Sequence, residues 1–161
     1  MYGEETLFGY LKAMVVNDDR HASKLDQFTF GIGGKLGLQT PEWNGWRLSG
    51  AYYVTDDLGL SSSNPKKTDA YMFDVDKQPY SILGEAALVY ESGDSTLILG
   101  RQEIDTPIVS TYDYRIIPNL FEAYTYTNQS LPNTSLTLSY ITKMSGLDGL
   151  VSFKHFESMS Q

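Results

Sequence analysis

The chain has 161 residues, of which 41% are hydrophobic and 20% are charged, so its composition predicts a folded protein. The formal net charge of -8 disfavours a nucleic-acid partner, because phosphate binding needs a basic surface. Cysteine is absent, which excludes disulfides and thiolate chemistry. No apolar run approaches the roughly 20 residues that a membrane-spanning helix needs, so a helical membrane protein is not expected.

The first half of the chain predicts four strands, because apolar and polar side chains alternate with a period of two. Their ranges are 6–16, 27–39, 46–55 and 80–91. In the first strand the two faces, from Leu7 to Val15 and from Phe8 to Met14, are the least distinct. In the second and third, the more apolar face runs from Phe28 to Leu38 and from Trp46 to Val54. In the fourth, we expect the outward residues to be Ile82, Gly84, Ala86, Leu88 and Tyr90, and the inward ones Ser81, Leu83, Glu85, Ala87 and Glu91.

The second half predicts strands at 96–103, 121–128 and 134–143, and a possible eighth at 150–156. The facing of the fifth strand is ambiguous. Short turns at 40–45, 92–95 and 130–133 alternate with longer polar connections at 17–26, 56–79 and 105–119. Connections of about 20 residues are uncommon inside compact soluble domains but normal at the extracellular rim of outer-membrane barrels. The sequence therefore predicts an all-β fold: an antiparallel transmembrane β-barrel wall with long extracellular loops and short periplasmic turns.

Charged side chains of the predicted strands fall on the face opposite the apolar one. If the apolar face contacts lipid, the other face lines a water-filled lumen, where an Arg or Lys avoids a cost of roughly 2–4 kcal/mol at the bilayer midplane. The predicted pore-lining residues are Lys12, Lys35, Arg47, Glu85 and Lys143. A soluble sheet would carry the same alternation with these charges in solvent, and this alternative stays open.

The loop after the fifth strand, residues 104–119, is too apolar for a freely solvated rim. Burial is favoured by its aliphatic residues Ile108, Val109, Ile116 and Ile117. Asp113 and Arg115 could form a charge pair held within the protein. We therefore predict that this loop folds inward against the wall and narrows the channel, with Arg115 and Asp113 at the pore constriction.

Three segments of this region resemble the OprD-type outer-membrane porins: residues 100–107, 113–119 and 121–124. Residues 46–60 and 140–144 resemble segments in the same order. The resemblance covers nearly the whole chain and matches the N-terminal part of a longer protein, so we expect both ends to be truncations and residues 1–161 to be one partial domain of seven or eight strands. No signal peptide is recognisable in residues 1–161.

The resemblance implies an 18-stranded barrel in the outer membrane of a Gram-negative bacterium, monomeric or loosely oligomeric. It implies passive diffusion of ions and small hydrophilic solutes, anionic or carboxylate-bearing, along a basic lining. It also implies an inward loop in which Arg115 matches the arginine of the family. Lys12, Lys35 and Arg47 would contribute to the lining, whereas the inward Glu85 leaves the selectivity open.

Other classes of function find little support in the residues. Residues 31–37 superficially suggest a phosphate loop, but Leu36 follows the lysine and no helix pattern comes next. His21 and His155 have no carboxylate at ligand spacing, so no metal site is predicted. No catalytic machinery is visible, and we expect neither an enzyme nor a cofactor. Two alternatives remain: a complete eight-stranded outer-membrane barrel with a structural or adhesive role, and a soluble β-sandwich that binds carbohydrate.

Overall fold

The protein is described by a computed structural model over residues 6–18, 26–62, 64, 67–68, 72–147 and 152–159. These residues contain one antiparallel sheet of eight strands that pair in chain order. The strands are β1 (Thr6–Asp18), β2 (Gln27–Gln39), β3 (Trp46–Asp56), β4 (Tyr80–Ser92), β5 (Ser95–Gln102), β6 (Leu120–Asn128), β7 (Leu136–Ser145) and β8 (Glu157–Ser158). Within the described ranges, no helix is long and apolar enough to cross a membrane.

The predicted all-β antiparallel architecture is confirmed, and the first seven strands lie within two residues of their predicted bounds. The eighth strand is the exception, because it was placed too early. Residues 152–156 form a turn, and only Glu157 and Ser158 pair with β7. Ser152 and Phe153 are held instead by Asp74 of a distant loop. Leu150 and Val151, also within the predicted strand, lie outside the described residues.

The two ends of the sheet differ as the sequence predicted. β2 and β3 are joined by a tight hairpin in which Trp43 pairs with Trp46. Its two central residues, Asn44 and Gly45, have φ values of 51° and 84°, the left-handed conformation that Asn-Gly adopts readily. Short turns also join β4 to β5 and β6 to β7, whereas longer segments at the opposite end follow β3, β5 and β7.

One face of the sheet, called here the outer face, is apolar and exposed. Leu7 and Leu11 of β1 are 70% and 77% exposed. Exposed apolar and aromatic residues continue across the sheet at Leu36, Leu38, Leu48, Tyr52, Val54, Tyr124, Leu138 and Tyr140. The predicted faces of β1, β2 and β3 agree with this pattern of burial. The sheet therefore buries its more polar face and exposes its more apolar one.

The prediction for β4 is wrong in its first half. Contrary to expectation, the buried residues are Ile82 and Gly84, and the exposed ones are Ser81 and Leu83. The register between β3 and β4 shifts at this point: Ala51 lies opposite Glu85, whereas Tyr52 lies opposite Leu83. A β-bulge inserts one residue and so reverses the alternation on one side of it. Glu85, Ala87 and Glu91, which follow the bulge, keep the predicted inward facing.

The main core lies on the opposite face, called here the inner face, beneath segments that fold back from the long connections. Its strand members include Ala51, Tyr53 and Ile82. The loop members are Met72, Phe73, Ile116, Ile117 and Phe153. Three separate connections thus contribute to one cluster on the inner face, which is the setting of the candidate site.

Candidate pore lining and inward loop

The loop between β5 and β6, residues 103–119 and called here the inward loop, packs its aliphatic residues against β2. Ile116 and Ile117 are buried in the inner cluster. A Cβ atom at Gly31 would lie 2.7 Å from Ile116 Cδ1, and one at Gly33 would lie 2.7 Å from Ile116 Cγ2. The two glycines therefore leave a recess that Ile116 fills, so the position of the loop depends on residues of β2 that lack side chains.

Burial of the predicted aliphatic residues is uneven along the inward loop. Val109 is partly buried and packs against a second cluster with Ile104 and Phe121. Ile108 is 94% exposed, so the expectation that it would be buried is wrong. Thr106 explains the local geometry, because its hydroxyl accepts hydrogen bonds from the backbone of Ile108 and Val109 and closes a tight turn there. Ile108 stands at the tip of this turn.

Polar contacts attach the inward loop to β1. The hydroxyl of Tyr10 donates to the carbonyl of Ile116 at 3.0 Å. Lys12 Nζ donates to Asp113 Oδ1 at 2.5 Å and to the Asp113 carbonyl at 2.7 Å. Lys12 also reaches the carbonyl of Arg115 at 3.3 Å. Asp113, predicted to pair with Arg115, thus pairs with the lysine that was predicted to line the pore.

Arg115 lies inside the packed layer, with only 1% of its surface exposed. Its guanidinium carbon is 4.4 Å from the centroid of the Phe153 ring, and its side chain hydrogen-bonds Tyr80. The Tyr80 and Phe153 rings are 6.3 Å apart. The residue predicted at the constriction therefore joins the inward loop to β4 and to the segment that precedes β8.

Lys35 of β2 lies within a group of four polar side chains on the inner face. Its ammonium contacts Glu85 Oε1 and Glu103 Oε1, each at 2.8 Å. The Tyr53 hydroxyl lies 2.5 Å from the same oxygen of Glu85 and 2.6 Å from that of Glu103. Glu103, at the start of the inward loop, was not among the predicted sites. This group is another polar attachment of the loop to the wall.

The remaining predicted lining residues are also paired with carboxylates. Arg47 makes a bidentate contact with Glu91, with both N–O distances 2.7 Å. Lys143 Nζ lies 2.8 Å from Glu122 Oε1, and Arg101 Nε lies 3.6 Å from Oε2 of the same carboxylate. Across these groups, five cations meet five carboxylates: Lys12, Lys35, Arg47, Arg101 and Lys143 with Asp113, Glu85, Glu103, Glu91 and Glu122. The ten formal charges cancel in total, but Lys35 meets two carboxylates and Glu122 meets two cations, so neither of these two groups is neutral by itself.

The fold is that of part of a transmembrane β-barrel wall: an antiparallel sheet in chain order, an apolar outer face, a charged inner face and a loop seated against it. Among solved structures, it is similar to OccK9 (OpdG) of Pseudomonas aeruginosa, with a TM-score of 0.72 and 20% identity over 88% of this chain and 38% of that one. OccD3 (OpdP) of the same organism matches with a TM-score of 0.69 and 19% identity over 97% of this chain and 32% of that one.

Acinetobacter baumannii OccAB1 matches with a TM-score of 0.66 and 14% identity over 96% of this chain and 35% of that chain. This chain thus spans 32–38% of the length of these three proteins. The sequence itself matches no protein-family model and no curated protein. The structural comparisons confirm the predicted fold as that of a partial outer-membrane barrel.

Proposed function

We propose that this chain is one partial domain of an OprD-type porin, through which ions and small hydrophilic solutes diffuse passively. The observation that carries the proposal is the distribution of its side chains between two faces. The outer face exposes apolar residues on successive strands, whereas the inner face holds ionised groups and a folded-in loop. A lipid-facing wall around a hydrated lumen needs this arrangement.

The outer face supports a membrane location. Contiguous apolar patches larger than a few hundred Å² are rare on monomeric soluble proteins, and this one extends across the sheet. At the end with short turns, Trp43 is exposed and Trp46 packs on Tyr90 with ring centroids 4.5 Å apart. Aromatic rings are enriched where a barrel meets the lipid–water interface. We place this end at the periplasmic side of the bacterial outer membrane.

The remainder of the barrel would come from further strands of the same gene product. Among the described residues, β1 pairs only with β2, and β8 pairs only with β7. A complete eight-stranded barrel, the structural or adhesive alternative, would require β1 and β8 to pair with each other. The greater length of the similar structures favours a larger barrel around a wider lumen.

Within that lumen, the inward loop would narrow the passage. Asp113 contributes the surface exposed to solutes, because 75% of its side chain is accessible. Arg115 would act from within, by holding the loop against Phe153 and Tyr80. In this proposal, Arg115 sets the diameter of the constriction and the Lys12–Asp113 pair presents its charges.

The proposal extends to carboxylate-bearing solutes. Support comes from a similar protein, OpdK of P. aeruginosa, which has been solved with vanillate. In this chain each of these cations is paired with a carboxylate, so the preference would depend on how far each cation reaches past its carboxylate. Lys143 is the best placed, since its side chain is 44% exposed against 28% for Glu122.

Single-channel recording of the full-length gene product in a planar bilayer tests the function. We expect stable open channels whose current carries both small cations and small anions. Addition of a small carboxylate should interrupt the current if such solutes enter the lumen. A protein that inserts as a folded barrel and conducts no ions would contradict the proposal and favour the structural or adhesive alternative.

A further inference from the structure

Asp74, in the connection between β3 and β4, is a buried carboxylate that binds the segment before β8. Its Oδ2 receives the hydroxyl of Ser152 at 2.6 Å, and its Oδ1 receives the backbone N–H of Phe153 at 2.6 Å. The backbone N–H of Val75 donates to Oδ1 at 2.9 Å, and Lys154 Nζ lies 3.2 Å from Oδ2. Only 1% of the surface of Asp74 is exposed.

A buried carboxylate is costly unless donors replace its lost hydration. Burial acts to raise the pKa of Asp74, but hydrogen bonds from Ser152, from the Phe153 and Val75 backbone and from Lys154 outweigh it and hold the pKa below its usual value. Hydrogen bonds to an ionised acceptor are about twice as strong as neutral ones. Asp74 therefore fixes the position of the 152–154 turn.

This turn contacts the inward loop through the side chain of Phe153. Phe153 is buried, and its ring lies under the guanidinium of Arg115 at 4.4 Å. A cation over an aromatic face is stabilised more strongly when it is withdrawn from water, as Arg115 is. The contacts run from Asp74 through Phe153 to Arg115, and so join the connections that follow β3, β7 and β5.

We propose that Asp74 is the positioning residue of the constriction: it holds Phe153 in place, and Phe153 holds Arg115 and the inward loop. The inference rests on the proposed function only where it concerns the pore. Asp74 contacts neither the lumen charges nor the inward loop through any of the bonds described above, so its influence passes through the 152–154 turn.

The ion pair that joins the loop to β1, Lys12 with Asp113, differs in burial from the contacts of Asp74. Its side chains are 27% and 75% exposed, and ion pairs in contact with water contribute little to stability. The contacts around Asp74 are enclosed, and removing an acceptor there leaves buried donors unsatisfied. The position of the inward loop should therefore depend more on Asp74 than on the exposed pair.

Cysteine labelling tests this dependence in the full-length protein. Residues 1–161 contain no cysteine, so Ile117→Cys places one thiol in this part of the protein, at a buried position of the inward loop, and the labelling of the parent without this substitution is subtracted. We expect a water-soluble maleimide to label this thiol at least about tenfold faster when Asp74→Asn is added, because loss of a charged hydrogen-bond acceptor favours local opening. Open-channel conductance should rise in Asp74→Asn itself.

Asp76→Asn is the matched control. Asp76 lies two residues further on, is exposed, and approaches the same Lys154 at 3.4 Å. Its Oδ1 accepts a hydrogen bond from the backbone N–H of Gln78 within the same connection. Removal of this charge should leave both the labelling rate and the conductance unchanged. Equal behaviour of the two variants would overturn the role of Asp74.

Two further variants keep the test decisive if Asp74→Asn fails to fold. Ser152→Ala removes one donor to Asp74, and Phe153→Leu removes the ring beneath Arg115 while keeping an apolar side chain. Each should accelerate labelling of the Ile117→Cys thiol, and unchanged rates in both would overturn the inference. If the parent protein conducts no ions, the proposed function fails, whereas the labelling rates still decide whether Asp74 positions the loop.

Discussion

Two attachments of the inward loop, the packing of Ile116 on β2 and the ion pair of Asp113 with Lys12 of β1, differ in burial. Ile116 fills the recess over Gly31 and Gly33 and has no exposed surface. Lys12 and Asp113 meet where water reaches both side chains. Close packing determines where a segment lies, whereas an exposed ion pair contributes about 0–1 kcal/mol. The comparison indicates that packing fixes the loop and that the pair mainly supplies charge to the lumen.

Filling the recess should have the largest effect. In Gly31→Ala, the new Cβ would lie 2.7 Å from Ile116 Cδ1 and 3.0 Å from Met72 Sδ, so the side chains of the connections packed on β2 must move. Overpacking of this kind costs about 1–3 kcal/mol. We expect a lower unfolding temperature of the full-length barrel, measured by its heat-dependent electrophoretic shift, together with a wider conductance distribution.

Gly50→Ala is the control for that substitution. Gly50 lies on β3, and the nearest atom to its added Cβ would be the Glu85 carbonyl oxygen at 3.7 Å, an ordinary contact. This variant should match the parent in unfolding temperature and conductance. If Gly31→Ala behaved in the same way, the recess would not be what positions Ile116.

The next largest effect is expected from Arg115→Ala. The substitution removes a fully buried side chain from between Phe153 and Tyr80, so the inward loop loses its support on the wall. We expect conductance to rise and anion preference to fall in single-channel recordings. Arg115→Lys keeps the charge but not the planar guanidinium that stacks on the ring, so it should restore only part of the parent behaviour. Unchanged conductance and selectivity in Arg115→Ala would remove this residue from the constriction.

The packing of the inward loop on the sheet could be predicted in part, because it depends on sequence patterns within single segments. Alternation predicted seven strands, and the aliphatic residues of the loop predicted that it would fold inward. The recess was not predicted, since glycines at 31 and 33 have meaning only once Ile116 is known to lie above them. The bulge at Gly84 also escaped prediction, because the apolar residues of β4 fit an alternating strand whichever of its two faces is taken as the buried one.

Lys12 and Asp113 were predicted as site residues but not as a pair, and Asp74 and Glu103 were not among the predicted sites. Lys12 and Asp113 are 101 positions apart, and Asp74 is 78 positions from Ser152. Contacts at such separations follow from how loops fold across the sheet and not from spacing along one strand. Charge pairs between neighbouring strands are easier to predict from the sequence. Glu122, for example, lies directly opposite both Arg101 and Lys143 in the strand pairing. A search for opposite charges at matching heights on neighbouring strands would have found that group.

We expect the smallest structural effect when one partner of the Lys12–Asp113 pair is neutralised. These substitutions are also the sharpest test of the charged attachment. Asp113→Asn leaves the lysine charge uncompensated, so reversal potentials in a salt gradient should shift toward anion permeability. Lys12→Gln leaves the aspartate charge and should shift them toward cations, since a charge near a narrow passage attracts its counterion.

The double variant Lys12→Gln/Asp113→Asn should return near the parent value, because it removes one charge of each sign and leaves the net charge unchanged. Unfolding temperatures of all three should stay close to the parent, as expected for an exposed pair. If the reversal potential shifted in the same direction in both single variants, the cause would be movement of the loop and not the altered charge. A large loss of stability in Lys12→Gln would show instead that the contacts with β1, and not the recess on β2, fix the loop.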